Sequence, residues 1–430
     1  MAKTYESYKD SGIAWIGEIP EKWSKDKVFR VFANIGSGTT AKATEDSNFE
    51  GEINWIQSGD INGSIINSCK NKISQQVLNK YSALKIYKAP FIIVAMYGAS
   101  VGNISVSMID GCVNQACCVM SDSVHYFDYL FYAIKSAKDY LIYRAEGGGQ
   151  PNISQDKLKN LWLPIPPLSE QQSIASFLDT KCGEIDSLIS LQEEMISELQ
   201  AYKQSVITEA VTKGLDPNAK MNCCASREKN DACISSSETQ PAIERKFKDS
   251  GVEWIGEIPE GWNLSRAKFL VEITHGTDPR TDGDIPVYGS GAGSFKTCGE
   301  YKEGDAVLIG RKGSLNIPHY IVGKYWNVDT AFDVKAKNCF SLRYYYYLAF
   351  CFDYKKYMSQ TTLPGMTQSD YNNMTLPFPP LNIQKSIATY LDSKTSQIDS
   401  LITLKQQKID ELKDYKKSII YEYVTGKKRG

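Results

Sequence analysis

Two stretches of the chain carry apolar residues at steps alternating between three and four. The first runs Ile174, Leu178, Cys182, Ile185, Leu188, Met195, Leu199, Tyr202, Val206 and Ala210. The second runs Ile387, Leu391, Ile398, Leu401, Ile409, Leu412, Tyr415, Ile419 and Tyr423. A period near 3.5 predicts a coiled-coil seam on a long helix, and about 40 residues at 1.5 Å each make a strut of roughly 60 Å. Two seams of similar length are expected to pair with each other, through Ile174, Leu178, Ile185, Leu188 and Leu199 on one helix and Ile387, Leu391, Ile398, Leu401 and Leu412 on the other. Gln192 and Lys405 hold equivalent seam positions, where a polar residue can fix register. Proline-rich stretches at 164–167 and 377–380 keep the chain extended before each helix. Ser169 with Gln172 reads as a capping box, and Asn382 as the matching cap.

The helices belong to a larger repeat. KDSGIAWIGEIPEKW at 9–23 returns as KDSGVEWIGEIPEGW at 248–262, with 12 of 15 positions identical. LPIPPLSEQQSIASFLDTKCGEIDSLI at 163–189 returns at 376–402, with 17 of 27 identical. The chain is therefore two copies of one unit: an opening motif, a middle and a helical tail. Opening motif and middle span 1–168 and 248–381, the helices 169–213 and 382–425, and the last residues, 426–430, form a short tail. Residues 214–247 are polar and poor in large apolar side chains, which predicts an exposed linker. The middles diverge, with 141 positions from Trp23 to Pro164 against 115 from Trp262 to Pro377. Each mixes strands, such as the apolar runs at 91–96 and 306–309, with helical periodicity at 126–143 and 342–358. A frame kept while the middles diverge predicts two different binding surfaces on one scaffold.

Composition narrows the reading. The chain has 430 residues, too many for one ordinary core, and its hydrophobic content of 42% with 23% charged residues is that of a globular protein. No apolar run reaches transmembrane length and the first residues lack a signal-peptide core, which predicts a cytoplasmic protein. Eleven cysteines contain no C-x-x-C pair and the histidines are only His125, His275 and His319, so no metal site is expected. A net charge of −1 is unusual for a DNA-binding chain and implies that a partner supplies much of the phosphate-neutralising charge.

Candidate contacts to nucleic acid lie in the glycine-punctuated loops of the middles. Arg311 and Lys312 follow an apolar strand on a tight turn between Gly310 and Gly313. Gly149, Gln150 and Asn152 place two amides on a flexible loop, with Thr367 and Gln368 at the corresponding place in the second copy. Arginine reads guanine, and asparagine or glutamine reads adenine, through paired hydrogen bonds in the major groove. Ser58, Gly59, Tyr97 and Ser290 are further candidates. The series Gly289, Gly291, Gly293 reads as a loop and not a dinucleotide fingerprint, and the run 344–347 of four tyrosines reads as helix core. The sequence holds no phosphate-binding G-x-x-x-x-G-K-[ST] loop, no H-E-x-x-H, no G-x-S-x-G and no Asn/Asp-Pro-Pro-aromatic tetrapeptide, so no catalytic residues are expected.

WIGEIPEKW and LPIPPLSEQQSIASFLD, each duplicated in order, resemble the frame of the specificity (S) subunits of type I restriction-modification systems. The resemblance spans essentially the whole chain. It implies an α+β protein with two α/β target recognition domains, joined by two long antiparallel coiled-coil helices in a pseudo-two-fold internal repeat. It implies a non-catalytic DNA reader of a bipartite asymmetric site, whose helices set the spacer and dock two DNA methyltransferase (M) subunits carrying S-adenosylmethionine. Two restriction/translocase (R) subunits using ATP and Mg would join, and this chain would bind no cofactor itself. The long linker after Asp216 departs from the family pattern. A duplicated coiled-coil scaffold that never touches DNA, or the specificity module of another anti-phage methyltransferase system, would share the same repeat.

Overall fold

A computed structural model describes residues 4–40, 51–145, 151–215, 246–337, 339–357 and 364–429. The linker at 216–245, with Cys223, Cys224 and Cys233, and the candidates Gly149 and Gln150 lie outside the described residues. The chain divides into two compact units, one made of residues 1–192 with 407–430 and the other of residues 193–406. Each unit therefore holds one middle, the start of its own helical tail and the end of the other copy's tail.

In unit 1 the opening motif forms a hairpin of β1 (Tyr8–Asp10) and β2 (Glu18–Pro20), and β3 (Ser24–Lys27) leads through the short α1 (Val28–Val31) into β4 (Asn34–Ser37). The strands β5 (Ile53–Ile56), β6 (Ile65–Ile66) and β7 (Lys72–Ile73) are followed by α2 (Gln75–Lys80). Then come β8 (Phe91–Ala95), β9 (Ile104–Ser107), β10 (Cys112–Val113) and β11 (Cys117–Ser121). They make a five-stranded sheet ordered β4-β11-β8-β9-β6 and a three-stranded sheet ordered β10-β5-β7. The run FIIVA of β8 is buried throughout because both sheet faces are covered. Ile92 and Val94 enter the main core, while Phe91, Ile93 and Ala95 enter a second one. The helical period at 126–143 becomes two helices, α3 (Phe127–Ser136) and α4 (Lys138–Tyr143), before α5 (Gln155–Lys159) and β12 (Trp162–Ile165), which pairs with β3.

Helix α6 (Leu168–Lys213) starts in unit 1 and ends in unit 2. Unit 2 repeats the plan. The hairpin β13 (Phe247–Asp249) and β14 (Glu257–Pro259) precedes β15 (Asn263–Arg266), α7 (Ala267–Leu270) and β16 (Val271–His275). The ribbon β17 (Ile285–Tyr288) and β18 (Ser294–Cys298) is followed by β19 (Lys302–Glu303), β20 (Ala306–Gly310), β21 (His319–Ile321), β22 (Lys324–Asn327) and β23 (Ala331–Ala336). These form two four-stranded sheets, β16-β23-β20-β21 and β18-β17-β22-β19. Helices α8 (Leu342–Ala349), α9 (Tyr354–Tyr357) and α10 (Gln368–Asn373) lead to β24 (Thr375–Phe378) and α11 (Leu381–Val424). Tyr344, Tyr345 and Tyr347 are core residues of this unit and Tyr346 packs on its margin.

Within each unit the two long helices run antiparallel. In unit 1 Phe177 stacks on Tyr423 with ring centroids 4.3 Å apart, and Lys416 Nζ lies 2.6 Å from the Asp186 carboxylate. In unit 2 Lys405 Nζ meets the Met195 sulfur at 3.3 Å, and Lys203 Nζ lies 2.7 Å from Asp399. Ile174, Leu178, Ile185, Ile387, Leu391 and Ile398 are buried, and Leu199 and Leu412 are half-buried.

Two expectations change. Leu188 and Leu401 are each 47% exposed, and Tyr202 and Tyr415 are exposed as well. At Leu188 and Tyr415 a second consecutive step of three (182, 185, 188 and 409, 412, 415) swings the side chain about 100° away from a position seven residues on. Ile189 and Ile402 hold the seam instead, with Lys203 and Lys416 further along. Nor do Ser169 and Asn382 cap the helices. Helix α6 opens at Leu168, with the Pro167 carbonyl accepting from Gln171 N at 3.0 Å, and α11 opens with the Pro380 carbonyl accepting from Gln384 N at 3.0 Å. The glutamines at these places, Gln171 and Gln384, are buried and donate from their amides back to Pro166 and Pro379. A proline carbonyl starts a helix as well as any other, and its missing N–H costs nothing there.

Candidate nucleic-acid interface

In unit 1 five loops meet at one end of the sheets. Past β8, Met96 N donates to Ala116 O at 2.7 Å and Met96 O accepts from Ile153 N at 2.7 Å. Asn114 N donates to Ile56 O at 3.1 Å, Ser100 Oγ to Ser58 O at 2.7 Å, and Asn103 Nδ2 to Ile61 O at 3.0 Å. Thr40 N reaches the Gln115 side chain at 2.8 Å. The cluster brings together Ser58, Gly59, Tyr97 and Asn152; Gly59 and Asn152 are exposed, Ser58 and Tyr97 half-buried. Burial raises the Tyr97 phenol above its ordinary value and a hydrogen bond from Gln115 pulls it back, so the hydroxyl stays a neutral donor. Burial also pushes the neighbouring thiols of Cys117 and Cys118 up to about 12, far from a nucleophile's range.

Unit 2 builds the corresponding cluster on the same hydrogen bonds. Arg311 N donates to Thr330 O at 2.8 Å and Arg311 O accepts from Met366 N at 3.0 Å. Gly98 and Gly313 both adopt positive φ, +88° and +83°, which lets the chain turn sharply after β8 and β20. Ser290 N lies 3.4 Å from Thr330 Oγ1, and His319 Nε2 is 2.7 Å from Gly291 O. Ser290, Arg311 and Lys312 thus share one surface. Lys312 is exposed, whereas the Arg311 guanidinium is ion-paired with Asp329.

Thr367 and Gln368 are committed elsewhere. The Thr367 hydroxyl caps α10 with Asp370, and the Gln368 amide donates inward to Ile273 O. Three residues of the two clusters were not legible as contacts: in unit 1 Gln115, which Tyr97 and Thr40 share; in unit 2 Asp329, which holds Arg311, and Phe295, 60% exposed on β18. Matching hydrogen bonds, Asn114 N to Ile56 O and Val328 N to Tyr288 O, put Gln115 and Asp329 at equivalent places in the two units. Among the described residues no group of three or more His, Cys, Asp and Glu is placed to hold a metal ion. No helix is long and apolar enough to cross a membrane among them either.

The helix pairs present a second surface. Asp186 and Asp399 mark one flank of the seam. On the other flank stand exposed apolar side chains, Leu188, Leu191 and Tyr415 in unit 1 and Tyr202, Leu401 and Leu404 in unit 2. Each long helix contributes to both patches.

The family described as "Type I restriction modification DNA specificity domain" matches residues 20–201 and 259–414. The MjaVIII specificity subunit of a type I restriction enzyme from Methanocaldococcus jannaschii is 26% identical over 341 residues, 70% of each chain. The MjaX specificity subunit of the same organism, a putative type I restriction enzyme, is 25% identical over 328 residues, 70% of this chain and 68% of that one. A chain from a solved structure addressing complex assembly and conformational transition of the type I R-M system superposes with a TM-score of 0.70. It shares 17% identity over 94% of this chain and 98% of its own.

Proposed function

The chain belongs to the type I restriction-modification DNA specificity family and is a specificity subunit, and from that premise we propose that each loop cluster reads one half of a bipartite, asymmetric DNA site. The carrying observation is one hydrogen-bonded frame with different side chains on it. Ile153 N to Met96 O matches Met366 N to Arg311 O, and Asn114 N to Ile56 O matches Val328 N to Tyr288 O, yet Tyr97 stands where Lys312 does, Gln115 where Asp329 does, and Asn152 where Gly365 does. Equal frames with unequal donors and acceptors suit two unlike half-sites. The chain performs no chemistry itself.

The exposed apolar flanks of the helices dock the catalytic partners. Two patches of matching composition favour two copies of one partner, the DNA methyltransferase with its S-adenosylmethionine, and two restriction subunits with ATP and Mg complete the nuclease. The partners add the positive charge that this chain, at −1 overall, lacks. The helices set the unread spacer, and the assembly works in the cytoplasm.

Methylome sequencing of cells with and without this chain tests the reading. A bipartite methylated motif is expected to vanish with it, and exchanging residues 23–164 for those of another family member is expected to change one half of that motif only. Loss of no motif, or a change in both halves, overturns the proposal.

A further inference from the structure

In unit 2 the ribbon of β17 and β18 carries an unexpected side chain. β18 is an edge strand, and Ser294, Phe295, Lys296 and Thr297 are all exposed. Edge strands left open to solvent normally carry charged and polar residues, because an exposed apolar edge invites unwanted pairing. Phe295 breaks that pattern at 60% exposure.

The ring is placed at the reading surface. A Cβ on Gly289 would lie 2.9 Å from Thr330 Oγ1 and 3.6 Å from the Phe295 ring, so the three are neighbours. The carbonyl of Thr330 accepts the Arg311 amide at 2.8 Å, which puts Phe295 beside the Arg311–Lys312 turn. Lys296 Nζ lies 5.6 Å from the ring centroid. The carboxylate of Glu300 is held at the opposite end of the ribbon, where it accepts from the amides of Arg280 and Thr281 at 2.7 and 3.2 Å. The end facing the loop cluster is thus the basic one.

We propose that Phe295 is an apolar reader of the second half-site, lying against the 5-methyl group of a thymine in the major groove with Lys296 on a flanking phosphate. The inference rests on the DNA-reading function proposed above. B-DNA's major groove admits a two-stranded ribbon, and thymine alone presents a methyl group there. A wedge driven between base steps would need its apolar residue at the ribbon tip. Here the tip, 289–293, is Gly-Ser-Gly-Ala-Gly, and the ring stands on the strand. Strand β7, the antiparallel partner of β5, has only Lys72 and a buried Ile73, so the contact belongs to the second half-site alone.

The test uses the full chain with its methyltransferase subunits and the target mapped by methylome sequencing. Each thymine of the second half-site is replaced in turn by uracil, which removes only the methyl. One replacement is expected to weaken binding about fourfold, the worth of one buried methyl group. Phe295→Ala is expected to weaken binding to the thymine duplex by the same factor and to bind the thymine and uracil duplexes equally. Phe295→Leu, which keeps an apolar surface and guards against a folding defect in the alanine variant, retains part of the preference. A second half-site without thymine, or unchanged thymine preference in both variants, overturns the inference while leaving the DNA-reading function intact. A complex that binds no sequence selectively overturns both.

Discussion

The phenol of Tyr344 donates to the carbonyl of Val211 at 2.8 Å, although 133 residues separate them. Tyr129 donates to Val424 O at 3.2 Å in unit 1, sharing its proton with Pro164 O at 2.8 Å. In each unit, then, a buried tyrosine of the recognition domain holds the last turn of the other copy's long helix. Tyr344→Phe leaves a buried carbonyl unpaired and is expected to lower unfolding stability by about 1 kcal/mol. Chemical denaturation of the full chain measures it, and an unchanged midpoint and slope would show that the bond contributes nothing.

Changing Leu188 and Leu401 together to Asp is expected to abolish co-purification of the methyltransferase. Both side chains are half exposed, so the melting temperature of the chain alone should hold within a few degrees. A variant that still assembles would move the docking surface away from this flank.

Much of this architecture can be read from the residues, and the misses have physical causes. The repeat, the long helices and the polar seam positions Gln192 and Lys405 follow from periodicity alone. Periodicity with no partner in view cannot separate Leu188 from Ile189, because both are apolar and only seven-residue spacing over many turns discriminates. The helix starts escape for a related reason: Ser169 has cap chemistry, but a proline carbonyl two residues earlier serves as acceptor. The strands β8 and β20 are legible because a sheet covered on both faces needs an unbroken apolar run. β18 is not, since four consecutive exposed residues leave no alternation to detect. Loop convergence is invisible in one dimension, and so was the pairing of Asp329 with Arg311.

The proposed function makes the spacer depend on helix length. Inserting one seven-residue repeat into α6 and one into α11 keeps the seam in phase and lengthens each helix by about 10 Å. The preferred spacer in the methylated motif should change while both half-sites are still read. An unchanged spacer in a folded, active complex would separate helix length from target geometry.

A chain ending near residue 220 should dimerise. Unit 1 takes Ile419, Ile420, Tyr423 and Val424 from the second copy, and the first copy's own equivalents are Val206, Ile207, Ala210 and Val211. Three of the four are close substitutes, and Val211 O is available to Tyr129. The fourth is not: Ala210 replaces the Tyr423 ring that stacks on Phe177, which costs about 3 kcal/mol at each of two symmetric places. The half chain is therefore expected to form a weak dimer that methylates an inverted repeat of the first half-site with its methyltransferase. Ala210→Tyr should tighten it by tenfold or more in sedimentation. A half chain that stays monomeric, or a dimer that methylates a non-palindromic motif, would show that the two helices are not interchangeable.

Arg311 and Lys312 should separate by role. Asp329 accepts from the Arg311 guanidinium and fixes its plane, as suits a side chain that presents its remaining N–H groups to one base. Lys312 is exposed, a point charge on a long stem suited to phosphate. Arg311→Ala is accordingly expected to cost about 1–3 kcal/mol of binding and to relax one position of the second half-site. Asp329→Asn should produce a milder loss at that same position, since the fork survives but its anchor weakens. Lys312→Ala should weaken binding evenly across sequences and reduce the dependence of log K on log salt by about one. Binding isotherms at several salt concentrations, on the cognate duplex and on single-base variants, read all three. If Arg311→Ala instead weakens every duplex equally and lowers the salt slope, then arginine is the phosphate contact and Asp329 merely balances its charge. If neither substitution changes affinity or sequence preference, the turn at 310–313 is not part of the interface, and the second half-site is read from the ribbon and the 289–293 loop alone.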